Sequence, residues 1–135
     1  MNTNEVQAAL DAVIANDCIE ARVICAEVNS PRALNRAVQY IRSALSATCI
    51  DCDDEQAAAD TALDPLDWRV FAEESGANVI VKACLTAGGP TVRLVYDQEA
   101  DTVRIGYYGE GITLEVVSRE CPLLDACREW ALSRF

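Results

Sequence analysis

Hydrophobic residues near the start of the chain recur at the spacing of an α-helix. The apolar positions of this first stretch, which begins at about Asn4, are Val6, Leu10, Val13 and Ile14. Asp17 followed by Glu20 matches a capping box, in which the two side chains satisfy backbone N–H groups at a helix start. We therefore predict a second helix from Asp17 through about Val28, although one continuous helix fits the same pattern.

A clearer amphipathic stretch follows. Ser30 is a favoured N-cap residue, and Pro31 suits the first helical position. The apolar stripe after them consists of Leu34, Val38, Ile41 and Leu45. Because these positions lie on one side of a 3.6-residue period, they predict a helix over residues 31–47.

The stretch between Arg42 and Arg69 contains seven acids and no cation. These acids are Asp51, Asp53, Asp54, Glu55, Asp60, Asp64 and Asp67. Acids favour a helix N-terminus, so Asp53 predicts a short alanine-rich helix through about Leu63, which Pro65 ends.

The second half of the chain changes to the alternating period of β-strands. Five strand-like runs are separated by turns rich in Gly and Asp, and they cover residues 68–74, 78–86, 91–97, 102–108 and 112–118. Each connection is too short for a crossover helix. Neighbouring strands must therefore pair as hairpins, which predicts a five-stranded antiparallel meander.

Alternation along these strands assigns each residue to one of two faces. The predicted buried face consists of Trp68, Val70, Val79, Val81, Leu85, Val92, Leu94, Tyr96, Val103, Ile105, Tyr107, Ile112, Leu114 and Val116. The predicted outward face consists of Arg69, Phe71, Glu73, Lys82, Cys84, Arg93, Val95, Arg104, Tyr108, Thr113 and Glu115.

A last helix is predicted from about Pro122. Its apolar stripe is Leu123, Cys127, Trp130 and Ala131. The sequence thus predicts one α+β domain over residues 1–135, with a helical half (1–64), an antiparallel sheet (65–119) and a C-terminal helix (120–135). Helices covering one sheet face would make it a two-layer sandwich.

The net charge of −11 changes what such a domain can bind. An acidic surface repels phosphate backbones and attracts basic proteins, so we expect a basic protein partner and no direct nucleic-acid binding. No apolar run reaches the length of a membrane span, and no targeting signal is recognisable. We therefore expect no membrane partner and a cytoplasmic location.

The chain contains no histidine and seven cysteines. Without imidazole, Ser-His-Asp catalysis, Cys-His catalysis and imidazole-bound zinc are excluded. An odd number of cysteines argues against a disulfide framework, and free thiols in a reducing cytosol act mostly as small hydrophobes.

Two cysteine patterns and one acidic pattern resemble known sites without matching them. Cys49 and Cys52 form a CxxC pair, but they follow a helix and lack the βαβ unit of a redox site. A zinc site with Cys121 and Cys127 would need a short-spaced second pair, and these two are six residues apart. The alternating acids from Asp51 lack the glycine of a calcium loop. We predict no metal, no cofactor and no catalytic residue.

Two surfaces are candidates for binding a partner. One is the acidic stretch given above, from Asp51 to Asp67, whose alternative interpretation is a solvated connector. The other is the outward sheet face, where Arg and aromatic residues of the kind enriched at binding hot spots lie together. Its candidate residues are Arg69, Phe71, Arg93, Arg104 and Tyr108. Ordinary cross-strand ion pairs to Glu73 and Glu115 would explain the same face.

The leading hypothesis is a non-catalytic protein that inhibits a basic protein by covering its surface. Small acidic immunity proteins, antitoxins and phage (viral) anti-defence proteins work this way, and the resemblance is one of size and charge only. One alternative is a secretion-type chaperone that binds an extended client; such chaperones usually place a helix within the run of strands, which the predicted meander lacks. Another is a small carboxylate- or cysteine-dependent enzyme. A homodimer is left open.

Overall fold

The chain adopts an α+β fold in a computed structural model that describes residues 2–50, 62–63, 67–72, 79–84 and 90–134, with side chains for 2–48 and 90–132. Three helices accompany an antiparallel sheet in these ranges. In chain order the elements are α1 (Thr3–Ile14), β1 (Glu20–Val28), α2 (Pro31–Leu45), β2 (Cys49–Ile50), β3 (Ala62–Leu63), β4 (Asp67–Ala72), β5 (Val79–Cys84), β6 (Thr91–Asp97), β7 (Thr102–Gly109), β8 (Ile112–Glu120) and α3 (Pro122–Arg134).

The main sheet has the strand order β1-β8-β7-β6-β5-β4, and every neighbouring pair is antiparallel. Strands β4 to β8 form the predicted meander, with bounds that differ from the prediction by one to two residues at most ends. The prediction of five strands was wrong, since β1 pairs with β8 and makes the described sheet six-stranded.

Strand β1 replaces the helix predicted through Val28. Its inward residues are Ala21, Val23 and Val28, with Ala26 half-buried. A register shift after Val23 leaves Ile24 as an extra residue on β1, exposed to 43%. This bulge spaces the inward positions by two, three and two residues, which is why the pattern resembles a helical one.

The N-cap predicted at Ser30 is confirmed, and α1 has a cap of the same kind at Asn2. The Asn2 side chain accepts a hydrogen bond from the Glu5 N–H at 2.9 Å, and Ser30 Oγ accepts one from Ala33 at 3.4 Å. Both bonds satisfy N–H groups that lack a partner in the first helical turn. Helix α2 ends at Leu45, slightly before the predicted end.

The hydrophobic core lies between the helices and one face of the sheet. Its largest fully buried side chains are Val6, Leu10, Val38, Ile41, Leu45, Val92, Leu94, Ile105, Leu114, Leu123 and Leu124. All the predicted inward residues of β6, β7 and β8 are buried. The inward residues predicted for β4 and β5 are described by their backbone only, and these are Trp68, Val70, Val79 and Val81. Leu85 lies outside the described residues. The two-layer sandwich as a whole therefore stays a prediction.

The segment between α2 and β4 is described only at its ends. Cys49–Ile50 and Ala62–Leu63 pair as a short parallel ladder, β2 with β3. The last two residues of the predicted alanine-rich helix are thus in a strand, and the rest of that helix lies outside the described residues. The division into a helical half over residues 1–64 was wrong, because three strands fall within it.

Helix α3 begins at Pro122, as predicted. Leu123, Cys127 and Ala131 of its predicted stripe are buried, and Trp130 is partly buried against the core. Within the described part of the chain, no helix combines the length and the apolar character needed to cross a membrane.

Candidate functional site

The sheet face that turns away from the helical core carries the candidate binding residues. We call it the outer face, and its described side chains include Arg22, Cys25 and Glu27 of β1, Thr113, Glu115 and Val117 of β8, Arg104 and Tyr108 of β7, and Arg93 and Val95 of β6. All ten are at least partly exposed. The alternation that buries their neighbours places them here, since successive strand residues point to opposite sides.

One row of this face alternates arginine and valine. Register pairs Arg22 with Val117, Val117 with Arg104, and Arg104 with Val95. We call these four residues the Arg–Val row. Both arginines are exposed and both valines half-buried. Since adjacent strands lie about 4.8 Å apart, the two arginines, which are two strands apart, are separated by about 10 Å at the backbone.

The backbone register extends this row across the sheet. Val95 pairs with Lys82 of β5, and Lys82 pairs with Arg69 of β4. Cross-strand partners share a face of a sheet. The register positions of Lys82 and Arg69 therefore continue the Arg–Val row with two more cationic residues.

Tyr108 is held on the outer face by its neighbours. Its hydroxyl donates a hydrogen bond to Glu115 Oε1 at 2.8 Å. Its ring lies over Gly106, where a Cβ would overlap the hydroxyl and come within 2.7 Å of ring carbons. With the ring in this position, the space that a Cβ would fill at Gly106 is occupied, so any other residue would displace the ring. The hydrogen bond and the contact with Gly106 thus hold the ring in one orientation.

The electrostatics of this group keep Tyr108 neutral. Burial, followed by the hydrogen bond to the Glu115 carboxylate, raises the pKa of Tyr108 to about 12. The Arg93 guanidinium carbon lies 5.9 Å from the ring centroid, within the range of a cation–π contact. At neutral pH Tyr108 is therefore a hydrogen-bond donor with a cation beside its ring, and it is unsuited to act as a base.

Among the residues with described side chains, three arginines outside this face pair with acids. The ion pairs are Arg36–Glu110 at 3.6 Å, Arg42–Asp17 at 2.6 Å, and Arg128 with Asp101 and Asp125 at 2.6 and 2.7 Å. Among the residues with described side chains, Arg22, Arg93 and Arg104 have no acidic partner within ion-pair distance. Arg32 and Arg119 also have none; Arg32 lies on α2 and Arg119 lies near the end of β8.

The sequence-predicted site residues fall into three groups. Arg93, Arg104 and Tyr108 lie on the outer face as predicted. Asp67, Arg69 and Phe71 lie in β4, of which only the backbone is described. The remaining acids, Asp51, Asp53, Asp54, Glu55, Asp60 and Asp64, lie outside the described residues. A role in partner binding stays a prediction for all of them.

Sequence reasoning missed Arg22 as a candidate. It lies on β1, and the capping-box interpretation assigned that segment to a helix. The signal for a strand was the alternation of Glu20, Ala21, Arg22 and Val23, which the bulge at Ile24 interrupts after four residues. The role of Gly106 was missed as well, because alternation gives no information on how an aromatic ring tilts.

The described thiols do not form a metal site. Cys18 and Cys25 are exposed, and Cys121 and Cys127 are buried. Burial raises the pKa of Cys121 and raises that of Cys127 to about 12, so both stay protonated at neutral pH. No group of three or more potential metal ligands comes together in the part of the chain that the structure describes. The predicted CxxC pair, Cys49 and Cys52, has no described side chain.

No protein-family model matches the chain, and neither a curated protein nor a solved structure does. Function is therefore inferred from the outer face and the charge of this chain alone.

Proposed function

We propose that this protein is a non-catalytic binding module that inhibits or neutralises a protein partner by covering part of its surface. The observation that carries this proposal is the fixed position of Tyr108 between Arg93 and Glu115, on a face that also presents the Arg–Val row. Tyrosine and arginine are enriched at binding hot spots. A side chain that is ordered in the free protein loses less conformational entropy on binding.

The charge of the chain indicates what kind of partner this is. A net charge of −11 favours a protein with a basic surface, and repels the regular phosphates of nucleic acids. The expected contact for that surface is the acidic stretch from Asp51 to Asp67. In this proposal the domain is a two-layer sandwich in the cytoplasm whose outer face is open to the partner, as for an immunity, antitoxin or anti-defence protein.

The state of the two buried thiols supports a non-catalytic role. A cysteine nucleophile acts as its thiolate, and burial holds Cys121 and Cys127 in the thiol form. The chain has no histidine to activate another nucleophile. Tyr108 keeps its proton for the reason given above. A binding role needs neither a thiolate nor a tyrosinate, so it agrees with the protonated state of these side chains.

A secretion-type chaperone is the second candidate, and the position of α2 favours it. The predicted meander contained no helix within its run of strands. With β1 present, α2 separates the first strand of the sheet from the other five. The outer face would then take an extended client rather than a folded partner.

The proposal is tested by co-purification from the source cells with a tagged form of this protein, at low and high salt. Wild type is compared with Arg93→Ala/Tyr108→Ala and with the control Arg32→Ala, which changes an exposed arginine on α2. We expect one basic protein to be recovered with wild type and with the control, less of it with the double variant, and less at high salt. Equal recovery with all three proteins would contradict the proposal.

A further inference from the structure

We infer that the outer face binds an extended acidic segment of the partner, whose carboxylates pair with Arg22 and Arg104 while its apolar residues contact Val117 and Val95. This inference rests on the proposed function, because it takes the outer face as the contact surface, and it adds the chemistry of what binds there. The partner then presents two kinds of surface, a basic one and an acidic segment.

The charge balance of the molecule motivates the inference. The chain contains 22 acids and 11 cations, so an arginine at random on the surface has many acids available. Arg36 and Arg42 each use one and Arg128 uses two, whereas Arg32 and Arg119 use none among the described residues. Arg22 and Arg104 use none among the described residues, although they lie on a rigid sheet two strands apart. Both guanidinium groups are therefore available to a carboxylate of another molecule.

The spacing of the row matches one extended conformation of the segment. The arginines are about 10 Å apart at the backbone, for the reason given above. A polyproline II segment has three residues per turn and rises about 3.1 Å per residue, so acids three residues apart lie on one side, about 9 Å from each other. A strictly alternating β-strand would turn residues three apart to opposite sides. The row therefore fits a repeat of one acid in every three residues.

The valines explain why the segment is a peptide with apolar residues between its acids. Val117 lies between Arg22 and Arg104, and Val95 lies on the other side of Arg104. Both are half-buried, so part of each side chain is available for contact. Covering apolar surface adds to binding in proportion to the area removed from water. A polymer that is charged at every repeating unit has no apolar group to place against Val117 and Val95.

The acids of the outer face argue against a nucleic-acid strand. Glu115 lies on the same face in the row next to the Arg–Val row, and Glu27 lies in the row after that. A nucleic-acid strand carries a phosphate at every nucleotide, so both these carboxylates and the overall negative charge of the protein repel it. A peptide with one acid in three residues places its charges at the arginines and neutral residues elsewhere.

The test uses fluorescein-labelled peptides and fluorescence anisotropy at low salt. The probe is a peptide of four Glu-Pro-Val repeats, and its control has Gln in place of every Glu. A thymidine oligonucleotide of matched charge is the nucleic-acid arm. We expect the Glu peptide to bind, the Gln peptide to bind about tenfold more weakly or worse, and added salt to weaken the Glu peptide selectively.

Two double variants of equal net charge locate the binding site. Arg22→Ser/Arg104→Ser removes both arginines of the row, and Arg32→Ser/Arg36→Ser removes two exposed arginines of α2. The first is expected to weaken binding of the Glu peptide about tenfold, and the second to leave it within about twofold. Arg104→Lys keeps the charge but loses the bidentate geometry, and is expected to give an intermediate affinity.

Three outcomes would overturn the inference: equal loss with the two double variants, no binding of the Glu peptide to wild type, or binding of the oligonucleotide in its place. The arginines are exposed, so folding is checked simply by thermal melting of each variant. If the peptide does not bind but the Arg93→Ala/Tyr108→Ala variant still loses the cellular partner, the inference is wrong and the proposed function stands. If the peptide binds and no variant affects the cellular partner, the proposed function is the part that fails.

Discussion

At the scale of single residues, the fixed ring of Tyr108 depends on two neighbours that do different things. Gly106 leaves space beneath the ring, and Glu115 holds the hydroxyl. The outward placement of Tyr108, Arg93 and Arg104 followed from alternation in the sequence. The hydrogen bond and the covered glycine did not, because they depend on side-chain rotamers that the pattern of polar and apolar residues leaves open.

The titration of Tyr108 tests this arrangement. Its pKa of about 12 exceeds the ordinary value of 10.0, so its contribution to stability is complete below pH 10 and is lost as the pH rises from 10 to 12. Glu115→Gln removes the carboxylate charge, and is expected to lower the pKa of Tyr108 while keeping it above 10.0, because burial is the larger cause. Tyrosinate absorbance measured against pH gives the result.

The signal of Tyr108 in that titration is identified by comparison with Tyr108→Phe, which lacks the phenol. The account would be contradicted if the highest-titrating tyrosine were unchanged in Tyr108→Phe, or if Glu115→Gln raised its pKa.

Substitution of Gly106 tests the packing beneath the ring. In Gly106→Ala the new methyl group overlaps the Tyr108 hydroxyl, so the ring must move and lose its bond to Glu115. We expect a loss of stability of about 1–3 kcal/mol, typical of overpacking. In the Tyr108→Ala background the same change is expected to cost less, because the obstructing ring is gone. Equal costs in chemical denaturation of the two backgrounds would show that the ring does not lie there.

At the scale of elements, β1 is the strand that sequence reasoning missed and also an edge of the sheet. A free edge exposes backbone groups that can pair with other chains. The Gln7 side chain of α1 covers part of this edge: its Oε1 accepts from Val23 N–H at 2.7 Å and its Nε2 donates to the Ala21 carbonyl at 3.0 Å. One side chain thus takes the place of a neighbouring strand at these two residues.

Removal of this side chain tests the edge contact. Gln7→Ala loses both bonds to β1, and we expect the free energy of unfolding to fall by about 1–2 kcal/mol. Gln39→Ala is the matched control, since Gln39 is an exposed glutamine on α2, and it is expected to cost less than about 0.5 kcal/mol. Chemical denaturation of wild type and the two variants measures these changes in the free energy of unfolding. A larger cost for Gln39→Ala would contradict the assigned role of Gln7.

The helices and the meander were predictable because their signals are local. Ser30 and Pro31 mark the start of α2, and tight turns force β6, β7 and β8 to pair. Strand β1 was not predictable in the same way, since its partner β8 lies about 90 residues further along the chain. Its pairing depends on the tertiary fold, while the Asp17–Glu20 signal that suggested a helix is local.

At the scale of the whole molecule, charge is divided unevenly along the chain. Residues 1–67 contain twelve acids and four cations, whereas residues 68–135 contain ten acids and seven cations. The composition predicted the acidic character, but only the strand register shows that arginines from β1 and β7 meet in one row with valines between them. The outer face is therefore the one described surface where unpaired cations gather on an acidic protein.

The central claim is that the partner covers this face, and methyl NMR measures that contact directly. Val95 and Val117 report from the outer face, and Leu132, exposed to 80% on α3, is the control. On addition of the co-purified partner, we expect the methyl signals of the two valines to shift or broaden while those of Leu132 stay unchanged. Shifts at Leu132 with both valines unaffected would contradict the account.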